Sequence, residues 1–163
     1  MKNLKDKLTF LIAAKVDHED RTRNLRTTLS YLRHHFDADI IISEQDTSSK
    51  LIDMCKAFKC RHIFVETDEF FNRQRGVNLA AKEATTPVIA HYDADILLRP
   101  EQIVGATEAI IQGQAQLVYP YNGYFYDIPE KYFDIINEAK DLTKVDLNEC
   151  ILFNPHSVGG VVL

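Results

Sequence analysis

The sequence predicts an α/β fold with a mostly parallel central sheet and helices on both faces. Three observations carry that expectation. Short runs rich in Ile, Val, Phe and Tyr alternate with amphipathic helical stretches. The chain has 163 residues, 45% hydrophobic and 26% charged, which suits one compact domain spanning 1–163. Charged residues also stand directly after the strand-like runs, where ligands of parallel sheets bind.

The elements follow in order. Residues 8–14, 38–43, 61–66, 87–93 and 116–121 read as strands, each rich in β-branched or aromatic side chains. Between the first two, residues 19–36 form a helix with Leu25, Leu29, Leu32 and Phe36 on one stripe of a 3.6-residue period. A shorter helix over 50–58 turns Leu51, Met54, Cys55 and Phe58 inward, and a third over 72–84 does so with Val77, Ala80, Ala81 and Ala84. A fourth runs over 100–112, where Pro100 suits a first helical position because its missing N–H costs nothing there. The end, 156–163, finishes on an apolar run with no polar tail, which predicts a piece of something longer, incomplete at its C-terminus.

Composition excludes several classes of function. A net charge of -5 argues against non-specific nucleic-acid binding. Residues 1–35 nevertheless hold eight Lys/Arg against four Asp/Glu, a positive surface that suits a small phosphorylated ligand or is a solvated helix face. No apolar stretch approaches the ~20 residues of a membrane span. The run 8–14 follows Lys2, Lys5 and Lys7 but lacks a small-residue cleavage site, so it reads as the first strand of a cytoplasmic protein. Cys55, Cys60 and Cys150 are odd in number and lack CxxC spacing, as expected of reduced thiols. No glycine precedes Gly76, which removes both the GxGxxG turn and the P-loop. A nucleotide bound here must have its phosphates neutralised by side-chain cations or a metal.

Two motifs offer those groups. Asp93-Ala94-Asp95 closes the fourth strand, and residues i and i+2 of an extended segment point the same way. Two such carboxylates suit a hard divalent ion, Mg²⁺ or Mn²⁺, which takes carboxylates plus substrate phosphate. The blander reading is one turn-capping and one exposed Asp. In Phe71-Asn72-Arg73-Gln74-Arg75-Gly76, Arg73 and Arg75 open a helix whose N-terminus favours anions, and an Arg fork matches phosphate oxygens.

Phe71-Asn72-Arg73 with Asn78, then Asp93-Ala94-Asp95, then Gly159-Gly160-Val161, resembles the inverting glycosyltransferases of the GT-A fold, a Rossmann-like nucleotide-diphospho-sugar transferase fold. The β-1,4-galactosyltransferases carry F-N-R-x-x-x-x-N, D-x-D and G-G-V in this order. The family-2 glycosyltransferases, including chondroitin-polymerase-like enzymes, share the strand plan and the D-x-D. The resemblance spans about residues 8–163. It implies transfer of a sugar from a UDP-sugar to a glycan acceptor with inversion. Ala13, Lys15 and Asp17 would lie by the uracil and ribose, and Arg21 near the diphosphate. Glu44 or Asp46 would bond the base. Arg73 would face the diphosphate with Asn78 beside the nucleotide. Asp93 would lie toward the ribose, Asp95 would ligate Mn²⁺ or Mg²⁺ with Asp93 beside it, and Gly159 and Gly160 would admit the donor sugar. The family's catalytic base lies beyond the Gly-Gly segment, so none is named. The alternative is a non-catalytic nucleotide-sugar-binding module lacking that base. A nucleotidyltransferase is disfavoured by the lack of early glycines.

Other residues remain open to two readings. His91 shares parity with Asp93 and Asp95, as a third ligand or as a buried, hydrogen-bonded histidine. Adjacent His34 and His35 point to different helix faces and cannot chelate together. Tyr121 and Tyr124 flank the Asn122-Gly123 turn and are the preferred acceptor-side residues, although packing on the sheet explains such aromatics equally well.

Overall fold

A computed structural model describes residues 1–154 and 156–163. In chain order the elements are β1 (Lys2–Asn3), β2 (Leu8–Ala14), α1 (Glu19–His35), β3 (Phe36–Asp37), β4 (Asp39–Asp46), α2 (Ile52–Ala57) and β5 (Arg61–Glu66). They continue with α3 (Arg73–Glu83), β6 (Val88–Tyr92), α4 (Pro100–Ile111), β7 (Phe125–Asp127), α5 (Phe133–Ala139), β8 (Ile151–Asn154) and β9 (Val161–Val162).

The main sheet has the order β5-β4-β2-β6-β9. The first four strands are parallel and β9 joins the β6 edge antiparallel. The chain therefore builds outward from β2 through β4 to β5, then returns through α3 to place β6 on the other side of β2. That reversal makes the gap between the carboxyl ends of β2 and β6 the topological switch point, where open α/β sheets bind ligands.

Helices cover both faces, as expected. Leu25, Leu29 and Leu32 of α1, Met54 and Cys55 of α2 and Ile103 and Ala106 of α4 share one core with Phe10, Ile12, Ile40 and Ile42. Phe10 lies at its centre, 5.5 Å edge-on from Tyr92 and 5.6 Å from Phe36. On the opposite face α3 alone packs Val77 and Ala80 against Leu11, Ala13 and Ile41. Alternation along β2 and β4 sends odd and even residues to different helices. Burial on both faces explains the near-continuous apolar run of β2 and the Ile40–Ile42 run of β4.

Local sequence accounts for the helix ends. His18 Nδ1 accepts from the Asp20 amide at the start of α1, whose first turn holds Glu19 and Asp20 and whose last turn holds Arg33, His34 and His35. Those charges complement the helix dipole. Asn72 caps α3, its Oδ1 accepting from the Arg75 amide at 2.9 Å.

The strand expected over 116–121 does not form. Val118 exchanges both backbone hydrogen bonds with Leu163 (2.9 and 3.0 Å). The β6 edge beside it is already taken by β9, and Pro120 has no N–H to extend a ladder. Burial pushes the Cys55 thiol up to about 12, and its side chain is enclosed in the larger core. Cys55 should therefore resist alkylation at pH 8 in the folded chain and react fully in denaturant; fast labelling of the native chain at Cys55, read by peptide mass, would contradict this packing.

Candidate functional site

A cavity of about 240 Å³ opens at the switch point. The end of β2 contributes Ala13, Ala14, Lys15 and Val16; α1 contributes Arg21, Asn24 and Leu25; the α3 entry contributes Phe71 and Arg73; and the end of β6 contributes Asp93, Ala94 and Asp95. Six residues singled out from the sequence, Ala13, Lys15, Arg21, Arg73, Asp93 and Asp95, thus line one space. Cations and carboxylates face each other across it.

The charges are unequally satisfied. Arg73 Nη1 donates to both Asp93 oxygens, at 3.0 and 2.8 Å. Arg21 Nε pairs with Asp17 Oδ1 at 3.2 Å, one turn back, outside the cavity lining. Among the described residues Lys15 and Asp95 have no ion-pair partner. Partial desolvation, reinforced by the negative charge of Asp93, holds the Asp95 carboxyl above the usual carboxylate range. An unpaired carboxylate and an unpaired ammonium in one cleft are groups prepared for a ligand carrying both a cation and an anion.

The placement of Arg73 depends on two residues that sequence reasoning missed. Gln45 of β4 is buried, and its amide clamps the backbone of Asn72: Nε2 donates to the Asn72 carbonyl at 2.8 Å and Oε1 accepts from the Asn72 amide at 3.2 Å. Gly76, one turn into α3, lies so close to the sheet that a Cβ there would stand 2.8 Å from both Ala13 Cβ and Gln45 Nε2. The signals were a buried glutamine near the end of β4 and a glycine in a helix interior, and both make sense only when paired in space.

Other singled-out residues lie elsewhere. Glu44 is fully buried and saturated: Oε1 accepts from the Lys50 amide at 2.7 Å, while Oε2 is bonded by Ser49 Oγ and His62 Nε2 at 2.9 Å each. Asp46 accepts from Lys50 Nζ at 2.7 Å and the Thr47 amide at 2.8 Å. The Lys50 hydrogen bond is the main reason its carboxyl is held below the usual range. Both carboxylates brace the 47–50 loop, on the face of β4 opposite to Gln45. Asn78 lies on exposed α3 surface and accepts from Gln74 Nε2 at 2.9 Å, away from the cavity lining. Gly159 and Gly160 are laid beside β6: the Asp93 amide donates to the Gly160 carbonyl at 2.8 Å, and Tyr121 Oη donates to that of Gly159 at 2.5 Å. Gly160 has φ +93°, a left-handed conformation that disfavours any side chain. Tyr124 is exposed and stacks on Tyr126 at 6.4 Å. Tyr121→Phe should free the Gly159 carbonyl and raise amide exchange at 159–161 without lowering stability by more than about 1 kcal/mol; unchanged exchange would show that the tether is idle.

The chain itself supplies few metal donors. Among the described residues, no group of three or more His, Cys, Asp or Glu could hold a metal ion. His91 Nε2 is 3.6 Å from Asp93 Oδ1 and forms no hydrogen bond, so it is neither the satisfied core histidine nor a member of a ligand set. Asp95, with Asp93 once released from Arg73, fits the sparse carboxylate set of an ion that completes its shell with phosphate and water.

Fold and cavity together define an α/β domain with a charged cleft at its strand ends. Neither a protein-family model nor a curated protein matches the sequence. Solved structures of similar shape exist. Residues 1–349 of TarS from S. aureus share 12% identity with a TM-score of 0.48, over 68% of this chain and 34% of that one. A second TarS structure from S. aureus shares 15% identity with a TM-score of 0.46, over 66% and 20% of the two chains. The mannosyltransferase PcManGT from Pyrobaculum calidifontis, in complex with GDP-Man and Mn²⁺, shares 13% identity with a TM-score of 0.46, over 83% and 40%. The chain spans well under half the length of each. Among the described residues no helix is long and apolar enough to cross a membrane.

Proposed function

We propose that this chain is the donor-binding part of a GT-A-like glycosyltransferase, taking a UDP-sugar with Mn²⁺ or Mg²⁺ and passing the sugar with inversion to a glycan acceptor. The observation that carries the reading is the convergence of Lys15, Arg21, Arg73, Asp93 and Asp95 on one cavity at the switch point of a parallel sheet that has no glycine loop. The motif order noted above supplies the identity of the donor.

The roles follow from the contacts. Lys15, without a carboxylate partner, attracts the diphosphate into the cleft. Arg73 exchanges its Nη1 contacts with the Asp93 carboxylate for a phosphate of the donor, one anion for another. Asp93 is thereby released beside Asp95, and the two would hold the divalent ion. When bound, that ion supplies electrostatic stabilisation of charge on the departing diphosphate. The Gly159-Gly160 backbone is held against Asp93, and Gly159, where a Cβ would meet nothing within 4 Å, leaves room for the sugar to approach. Tyr124, exposed, offers an apolar face to the acceptor.

A second reading rests on the cavity's own composition. Among the described residues its lining includes Asp93 and Asp95 and no other carboxylate, so with both given to the ion the cavity offers no further carboxylate to deprotonate an acceptor hydroxyl. That favours a binding module for this stretch of chain.

Calorimetric titration with UDP, with and without Mn²⁺, tests the shared core of both readings. Binding should tighten at least about tenfold with the ion, and Arg73→Gln should remove about tenfold or more, the worth of a charge-assisted pair. Metal-independent or absent binding would refute both readings. Hydrolysis or transfer of UDP-sugar by the chain would decide for the enzyme.

A further inference from the structure

A second cavity, about 400 Å³, lies where the end of α1, the start of α4 and the end of α5 meet the amino terminus. None of the residues that line it belongs to the donor cleft. Three of its side chains are cations from three separate parts of the chain: Lys2 of β1, Arg99 ahead of α4, and Lys140 after α5. Among the described residues none of the three has an ion-pair partner. Of the two carboxylates at the cavity, Asp141 is occupied by the Thr143 amide at 2.9 Å, and Glu101 sits in the first turn of α4.

Lys140 is the most constrained of the cations. It ends α5 in a left-handed conformation, φ +53° and ψ 30°, a position usually given to glycine. The strain is fixed by His35, whose Nε2–H donates to the Lys140 carbonyl at 2.6 Å, while the His35 ring packs on Tyr31 at 4.4 Å between centroids. Burial also holds the Lys140 ammonium below its ordinary range. A partly desolvated cation that forms no ion pair, its neighbour Asp141 being engaged by the Thr143 amide, and that is pinned at a backbone cost, is incompletely satisfied by the chain itself.

We propose that this cavity is a second binding site, for a small molecule carrying a phosphate group, formed by Lys2, Arg99 and Lys140. Three cations converging from separate elements match a dianion better than a single carboxylate. The Glu101 amide at the start of α4 adds one donor of the same sign preference, since Pro100 has no N–H and the Gln102 amide is bonded to the Arg99 carbonyl. The site is independent of the donor cleft and stands whether or not that cleft binds UDP.

The test uses inorganic phosphate and the whole chain. In ¹⁵N-labelled protein at constant ionic strength, phosphate should give saturable shifts at the amides of Arg99, Glu101, Gln102 and residues 139–143. Lys140→Gln and Arg99→Gln should each weaken that saturation at least about fivefold. Lys2→Gln, on an exposed two-residue strand where folding is not at stake, should weaken it about twofold or more. Arg73→Gln should leave it unchanged, which separates failure here from failure of the donor reading. Shifts that grow linearly with phosphate, that persist in Lys140→Gln and Lys2→Gln, or that acetate reproduces at the same ionic strength would overturn the proposal.

Discussion

Asp95→Ala will abolish the Mn²⁺-dependent component of UDP binding while the chain remains folded. The side chain lines the strand-end cavity and, among the described residues, forms no ion pair, Arg21 acting on it only at longer range, whereas its neighbour Asp93 is occupied on both oxygens by Arg73. Removing Asp95 therefore takes away the carboxylate most available to an ion. A divalent cation held by two carboxylates and a diphosphate loses about half its protein ligands, so the metal-linked gain in affinity should vanish, at least about tenfold. Calorimetry with UDP and Mn²⁺ reads the loss; retained metal dependence in the variant would move the ion elsewhere.

The same substitution should raise stability. Partial desolvation in the cleft and the charge of Asp93 hold the Asp95 carboxyl up in the folded chain, above its value when unfolded, although the side chain stays exposed to solvent. Across that window the folded state binds more protons, so stability falls as pH rises through the folded value. At neutral pH the ionised carboxylate, screened by solvent at this exposed position, opposes folding only slightly, and Asp95→Ala or Asp95→Asn relieves that small cost. Denaturant midpoints at pH 7 should rise in both variants and converge with the parent on acidification. A group that costs stability and gains it back only with a ligand is the pattern of a functional site.

The sequence made most of this domain legible wherever one-dimensional pattern equals three-dimensional burial. The stripe Leu25, Leu29, Leu32, Phe36 and the runs at 8–14 and 61–66 read out as α1, β2 and β5 because periodicity reports directly on which face is covered. Of the cavity cations, Lys15 was legible because it follows a strand end and Arg73 because it opens a helix, whereas Arg21 came only from the motif resemblance. Past Pro120 the reading failed. The antiparallel pairs β7–β8 and β6–β9 and the 132–145 cluster join residues far apart in sequence or in short elements, where periodicity carries little signal. Glu44 and Asp46 misled for a different reason. A carboxylate at a strand end reads alike whether it faces a ligand or braces a loop, and only the partners Ser49, Lys50 and His62 tell the two apart.

Gly76→Ala and Gly105→Ala should change stability in opposite directions, although both replace a glycine inside a helix. Helix propensity alone favours alanine by about 1 kcal/mol at either position. At Gly105, on α4, a new Cβ meets nothing within 4 Å, so the propensity gain of about 0.5–1 kcal/mol should appear in full. At Gly76 the Cβ would lie 2.8 Å from Ala13 Cβ, which is fixed in β2, and 2.8 Å from Gln45 Nε2. Gln45 cannot retreat without giving up both bonds to Asn72, each worth about 1 kcal/mol. Overpacking of this kind costs about 1–3 kcal/mol and outweighs propensity, so Gly76→Ala should lower the urea midpoint. The displacement also reaches the ligand. Asn72 caps α3 and precedes Arg73, so pushing the helix off β2 and β4 moves the guanidinium away from Asp93 and from any phosphate it would receive. UDP affinity should fall along with stability in Gly76→Ala and stay level in Gly105→Ala. A Gly76→Ala variant as stable as the parent would mean that α3 does not rest on the sheet through Gly76, and that Gln45 does not set the position of Arg73.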